Sequence, residues 1–257
     1  MSAFMGMEKI KIKHEAFTVN AFLFHCNETH PKAFSIFTHG YTSHKGSLLT
    51  WGHRLSEKGI PTLIFDLPAH FLGSFEEITS FESFTEYSPE LFANALEILQ
   101  KKYPAVLYPH LFLGGHSLGA LMALKSLSLP SFQNFKKTTF AVGFGMAPQD
   151  GVHLMETPFY KKTLELRAEL VSALIPPHKI FAWIREEKEK AQLTGEKIIL
   201  ITGEDDVIAF SGLERMKIFL EEKKNDVKVI SPKHLPHHLP ELAATHLMDE
   251  VKKVLDF

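Results

Sequence analysis

HLFLGGHSLGALMALKSL, running from His110 to Leu127, has three parts. Leu111 to Leu113 reads as a short buried strand, and Leu118 to Leu127 is an apolar, helix-compatible run. Between them Gly114, Gly115 and Gly119 cluster around Ser117, giving G-x-S-x-G at a sharp strand-to-helix turn. Chemistry explains this spacing. A serine hydroxyl is a weak nucleophile and has to be presented clear of its own backbone. A strained elbow does that, and the glycines leave room where strand and helix nearly touch. The N-terminus of the following helix aims backbone N–H groups at developing negative charge.

Working outward, the chain alternates apolar strands with helical runs. Lys9 to Lys13 (KIKIK) alternates like an edge strand, with Phe17 to His25 as its hairpin partner. Ala33 to Thr38 (AFSIFT) is apolar throughout, as a strand buried on both faces is, and ends in His39, Gly40 and Tyr41. Helix is expected over Leu48 to Lys58, strand over Pro61 to Asp66, and helix over Pro89 to Lys102 with Ser88 as its cap. After the elbow come strands at Thr138 to Phe144, Lys197 to Thr202 and Val227 to Ile230, with helices at Gly212 to Lys224 and Pro240 to Leu255. Such alternation predicts an α/β fold with a mostly parallel sheet and helices on both faces, its ligands lying beyond the C-terminal strand ends. Residues 149 to 194 differ: they are charged, amphipathic and helical, with Pro176 and Pro177 between two halves.

The residues at the strand ends resemble those of the α/β-hydrolase family. The matching pieces are THGYTSHKGS from Thr38, FDLPAHFLGS from Phe65, GGHSLG from Gly114, ITGEDDVI from Ile201, and a histidine-containing loop before the last helix. They lie in the family's order and cover almost the whole chain. The resemblance implies an eight-stranded sheet in a core of residues 1–148 and 195–257, with 149–194 as an inserted helical cap. It also implies a serine hydrolase that cleaves a small carboxylic ester through an acyl-enzyme; with no signal peptide or membrane span seen in the sequence, a soluble, cytoplasmic protein is expected.

Residue by residue, Ser117 matches the nucleophile. The backbone N–H groups of Tyr41 and Leu118 match the oxyanion donors. His39, Gly40 and His116 fall beside the substrate, His39 as a structural histidine with no chemical part of its own. In GEDD the family's spacing from the glycine points to Asp206 as the orienting acid, leaving Glu204 and Asp205 as solvated loop charges. Three histidines compete for the base: His234, His237 and His238. His238 is preferred, because it has the longer loop and an H-L-P context like the family's G-H-x-P, with His237 in the glycine's place. Two departures stand out. Ala69 and Phe71 replace the two glycines of the loop after the fourth strand, and the glycine before the base is missing.

Other classes fare worse. The 257 residues carry a net charge of −2 with no long basic run, so nucleic acid is not an expected partner. One cysteine, Cys26, excludes an internal disulfide framework. No stretch resembles a signal peptide or a membrane span. The histidine cluster lacks thiolates, so no metal is expected, and no cofactor fingerprint is present. A carboxylate pair for glycoside hydrolysis lacks its second partnered acid. Thioesterase or amidase chemistry with the same triad stays open, as does a catalytically silent binding protein of this fold. The oligomeric state is not readable.

Overall fold

The structure is a computed structural model that describes residues 6–74, 77–104, 106–147 and 157–256. Eight strands form one sheet: β1 (Met7–Lys13), β2 (Thr18–Phe24), β3 (Ala33–Thr38), β4 (Thr62–Phe65), β5 (His110–His116), β6 (Lys137–Val142), β7 (Lys197–Ile201) and β8 (Asp226–Ile230). Their spatial order is β1-β2-β4-β3-β5-β6-β7-β8. Pairing is antiparallel for β1 with β2 and for β2 with β4, and parallel from β4 onward. The expected α/β architecture is therefore present, with KIKIK on an edge strand.

Among the described residues eight α-helices join the strands: α1 (Leu49–Ser56), α2 (Phe81–Tyr87), α3 (Leu91–Lys102), α4 (Leu118–Ser126), α5 (Pro158–Leu166), α6 (Pro177–Lys190), α7 (Leu213–Glu222) and α8 (Ala244–Leu255). They divide the core in two. Trp51 and Leu55 of α1 meet Leu247 and Val251 of α8 on one face of the sheet. Phe92, Leu96, Leu121 and Met216, from α3, α4 and α7, fill the other. The central strands have side chains packed on both faces, which is why AFSIFT shows no alternation.

Two local expectations are corrected. Ser88 does not cap a helix; it is buried within a 3-10 turn, Ser88–Glu90, that links α2 to α3. The helix expected there, α3, has Glu90 as its N-cap residue with no side-chain cap bond, whereas Ser80 caps α2, its side chain accepting from the Ser83 N–H while Ser83 Oγ accepts from the Ser80 N–H. A serine replaces the usual Glu or Gln in that box, so the signal was easy to miss. The last helix also begins as a 3-10 turn, Pro240–Ala243, before α8.

Of the stretch 149–194, residues 149–156 lie outside the described residues. The remainder forms α5, a 3-10 turn at Ala168–Leu170 and α6, with Pro176 between the two helices and Pro177 at the first position of α6. These elements sit against loops that follow strands. Phe71 N–H donates to Leu170 O at 2.8 Å, Ser172 N–H to Ala69 O at 3.0 Å, and Tyr41 Oη to Ile175 O at 2.8 Å. Among the described residues no helix is long and apolar enough to cross a membrane.

Candidate active site

Ser117 sits at the end of β5 with φ 52° and ψ −110°, a backbone state that L residues rarely adopt. Close packing enforces it. A Cβ at Gly115 would lie 2.4 Å from Thr38 O, and one at Gly119 would lie 2.4 Å from Thr38 O and 2.6 Å from His39 O. Only glycines let α4 press this tightly on the end of β3, and the turn between must then be sharp. Ser117 N–H donates to Val142 O at 2.8 Å, fixing the turn to β6.

Asp206 is 1% exposed, in the loop after β7. One oxygen, Oδ1, accepts the N–H groups of Ile208 at 3.0 Å and Ala209 at 2.9 Å. The other, Oδ2, lies 2.8 Å from His237 Nδ1, which must carry the proton because an ionised carboxylate only accepts. That leaves His237 Nε2 free to accept. Ser117 and His237 line the same cavity, of about 610 Å³. They share no hydrogen bond with each other, a common state before substrate arrives.

The preferred base, His238, is corrected by this geometry: His237 holds Asp206, and His238 is exposed with its ring at 90° to that of His237. His234 is exposed too, at φ 60°. The cause is how the loop after β8 is pinned. Glu204 N–H donates to Pro232 O at 3.0 Å, and Asp205 Oδ1 accepts Leu235 N–H at 2.9 Å. Gly203 allows the contact, since a Cβ there would be 2.1 Å from Leu235 O. Leu235 is thereby buried, and a turn closed by Leu239 N–H to Pro236 O sends His237 inward and His238 out. Asp205, expected to be a solvated charge, is therefore tied into the loop that carries His237.

The oxyanion candidates Tyr41 and Leu118 flank the ends of β3 and β5 and are not among the residues lining the cavity. Leu118 is the first residue of α4, and its N–H has no intrahelical acceptor. The backbone of Tyr41 follows β3, while its ring packs edge-on against His70 and Phe181 at 5.9 and 5.3 Å between centroids.

His39, Gly40 and His116 do not line the cavity, contrary to expectation. His39 is fully buried: Nδ1–H donates to Gly40 O at 2.8 Å and Nε2 accepts Leu67 N–H at 3.0 Å. Burial pushes its pKa down to about 3, so it is a neutral strut between the loops after β3 and β4. Gly40 is packed beneath the elbow, where a Cβ would meet the His116 ring at 2.8 Å. The His116 ring lies 4.7 Å from that of His237, and its burial, then the nearby His237, hold it well below the ordinary histidine range. It packs against Gly143 and is not itself among the residues lining the cavity.

The cavity wall is mostly apolar, with Leu164, Phe181, Ile184 and Ile208 among its residues. Among the described residues its charged ones are Lys161, Glu165, Arg185 and Lys188. Sequence reasoning missed Lys188, because REEKEK reads as a solvated helix face. Among the described residues no group of three or more His, Cys, Asp or Glu is placed to hold a metal ion.

No curated protein matches the chain. Solved structures match over nearly its whole length. A highly thermostable carboxyl esterase from Bacillus coagulans is 14% identical, with 98% of this chain and 99% of that one covered and a TM-score of 0.69. An epoxide hydrolase from Vigna radiata is 12% identical, covering 97% and 98%, with a TM-score of 0.63. The thioesterase domain from the curacin biosynthetic pathway is 16% identical, covering 96% and 99%, with a TM-score of 0.61. At such identities the likeness establishes the fold, and the range of chemistries named shows that fold leaves the bond cleaved open. The description of the serine aminopeptidase family S33 matches residues 29–229, from just before β3 almost to the end of β8. The chain therefore belongs to this serine hydrolase family, built on the α/β-hydrolase fold.

Proposed function

We propose that the protein is an esterase that cleaves a small carboxylic ester through an acyl-enzyme on Ser117. The observation that carries this reading is the 2.8 Å bond between His237 Nδ1 and Asp206 Oδ2, beside a cavity that Ser117 and His237 share. Ser117 Oγ attacks the acyl carbonyl while His237 Nε2 takes its proton. Asp206 fixes the tautomer that leaves Nε2 able to accept, and it stabilises the imidazolium that forms. The N–H groups of Tyr41 and Leu118 receive the oxyanion. His237 then gives the proton to the leaving alcohol, and water, deprotonated by the same nitrogen, releases the acid. Residues 149–194 act as a cap whose inner face, through Leu164, Phe181 and Ile184, shapes the substrate cavity.

An ester fits this site better than the N-terminal peptide bond that the family's description suggests. An α-ammonium group entering the cavity would meet the ammonium of Lys188, which makes no ion pair with any described carboxylate. The test is hydrolysis of p-nitrophenyl esters against matched aminoacyl p-nitroanilides, with fluorophosphonate labelling. Ester turnover and labelling should both vanish in Ser117→Ala, a loss on the order of 10⁶ in turnover. Faster cleavage of the anilides, or labelling that survives the substitution, would overturn the assignment.

A further inference from the structure

Lys188 has a cation's surroundings without a cation's usual partner. Its neighbours on α6 are paired: Glu187 with Lys125, and Lys190 with Glu186 at 3.1 Å. Lys188 is half-buried, and it makes no ion pair with any described carboxylate. Its Nζ donates to Gly145 O at 2.6 Å and stands 4.4 Å from the centre of the Phe144 ring. A cation–π contact and one carbonyl hold an ammonium in place but do not neutralise it. Partly desolvated charges are costly unless something pairs with them.

The position of the group matters as much as its isolation. Lys188 and Gly145 both line the cavity that holds Ser117 and His237. Gly143 abuts the base, since a Cβ there would lie 3.2 Å from His237 Cε1. One residue, Phe144, separates Gly143 from Gly145, so their Cα atoms are at most about 7 Å apart. Lys188 and His237 thus border one cavity, linked through the segment from Gly143 to Gly145. Among the described residues Lys161, Glu165 and His178 of α6 also line it. Asp206, already engaged by His237 and two backbone N–H groups, is the carboxylate whose field reaches Lys188.

We propose that Lys188 determines specificity, its ammonium receiving the carboxylate of an ester substrate that also carries a free acid, such as the half-ester of a dicarboxylic acid. This rests on the esterase reading above. An ammonium has three N–H donors, and Gly145 takes one. Two remain, enough for a singly charged carboxylate and too few for a phosphate dianion within apolar walls. Burial pushes the Lys188 pKa down to about 8, so the group is still cationic at neutral pH.

The experiment compares kcat/KM for matched anionic and neutral esters in the wild type and Lys188→Met. One pair places the acid in the acyl part: mono-p-nitrophenyl glutarate against p-nitrophenyl pentanoate. The second places it in the leaving group: the acetyl esters of 4-hydroxybenzoate and 4-hydroxybenzamide. In one of the pairs the anionic-to-neutral ratio should fall about tenfold or more in the variant, the size expected for a charge-assisted hydrogen bond. The pair that responds shows which side of the ester carries the acid. Ratios unchanged within about twofold in both pairs would overturn the proposal. Should Lys188→Met fail to fold, Lys188→Gln keeps a donor for Gly145 O and is read the same way. Should the wild type cleave no ester, the esterase reading fails by itself. Calorimetric binding of monomethyl glutarate then decides on Lys188: a tenfold weaker affinity in the variant sustains the site, and equal affinity or no binding to either overturns it.

Discussion

The Asp205 carboxylate accepts the backbone N–H of Leu235 at 2.9 Å, and the next residue, Asp206, holds His237 at 2.8 Å. Two adjacent carboxylates thus address the same loop, one through its backbone and one through its histidine. Asp205 is a positioning residue on this view. Removing its acceptor in Asp205→Ala should free the loop and lower kcat by about 10²-fold, the scale of a misplacement near 1 Å. Asp205→Asn keeps an oxygen for Leu235 N–H and should restore most of the rate. Steady-state kinetics on the two variants test this, and an alanine variant as fast as the asparagine one would remove Asp205 from the account.

Asp206→Asn should be far worse, for a reason visible in the bonding of each oxygen. The Ile208 and Ala209 N–H groups demand an acceptor on one side of the carboxylate. The amide oxygen of asparagine therefore goes there, and its NH₂ faces His237. His237 Nδ1 must then accept, which places the ring proton on Nε2, where it cannot serve as a base. Turnover should fall by about 10⁴ with the fold intact. Ring nitrogen shifts read by NMR should report the changed tautomer, and an unchanged tautomer would contradict the mechanism.

Among the histidines, His237→Ala should reduce ester turnover nearly to the level of Ser117→Ala, whereas His234→Ala and His238→Ala should each retain most of it. Parallel assays of the three variants suffice. A silent His237→Ala would leave Ser117 without the base drawn here.

The fold was legible because its signals are local: an elbow crowded with glycines, an apolar strand without alternation, and helices bounded by proline and glycine. Ser117 stood inside its glycine elbow, and for Asp206 the resemblance to the family supplied the spacing from Gly203. Choosing among His234, His237 and His238 was a different problem. Their loop is shaped by Gly203, Asp205 and Pro232 reaching it from another strand end or across it, and such contacts leave no periodic trace. Lys188 was invisible for a similar reason. In REEKEK every residue looks solvated, and only the packing of α6 over Phe144 turns one lysine toward the cavity. The substrate-side placement of His39, Gly40 and His116 failed because proximity in sequence to Ser117 and the oxyanion loop put them beneath the elbow, outside the lining of the cavity.

Chain-length preference should follow the residues that line the cavity. Phe159 and Leu166 of α5 are 78% and 80% exposed, so polar substitutions there should leave the preference unchanged. Phe181 and Leu164 line the cavity. Phe181→Ala opens space and should shift the optimum toward longer acyl chains, each added methylene gaining about 0.8 kcal/mol when buried. A series of p-nitrophenyl esters from acetate to decanoate measures the shift. An optimum that stays put in Phe181→Ala would mean that the acyl chain leaves by another route.

Ala69 occupies φ 60°, the left-handed region that costs an L residue roughly 1–2 kcal/mol. It stands where the family's loop usually has glycine, and the loop has not opened to relieve it. Ala69 O accepts from Ser172 N–H, His70 pairs with Val171, and Phe71 N–H donates to Leu170 O, so hydrogen bonds to 170–172 on both sides of His70 hold the strained turn in place. Glycine fits that backbone without a clash, while the freer unfolded chain returns about 0.5–1 kcal/mol of the gain. Ala69→Gly should therefore stabilise the protein by up to about 1 kcal/mol, a rise in Tm of about 2–4 °C for a chain near this size. Calorimetry on the two proteins checks the sign. A lower Tm would mean that the Ala69 methyl, which is fully buried, contributes more through packing than its backbone loses through strain.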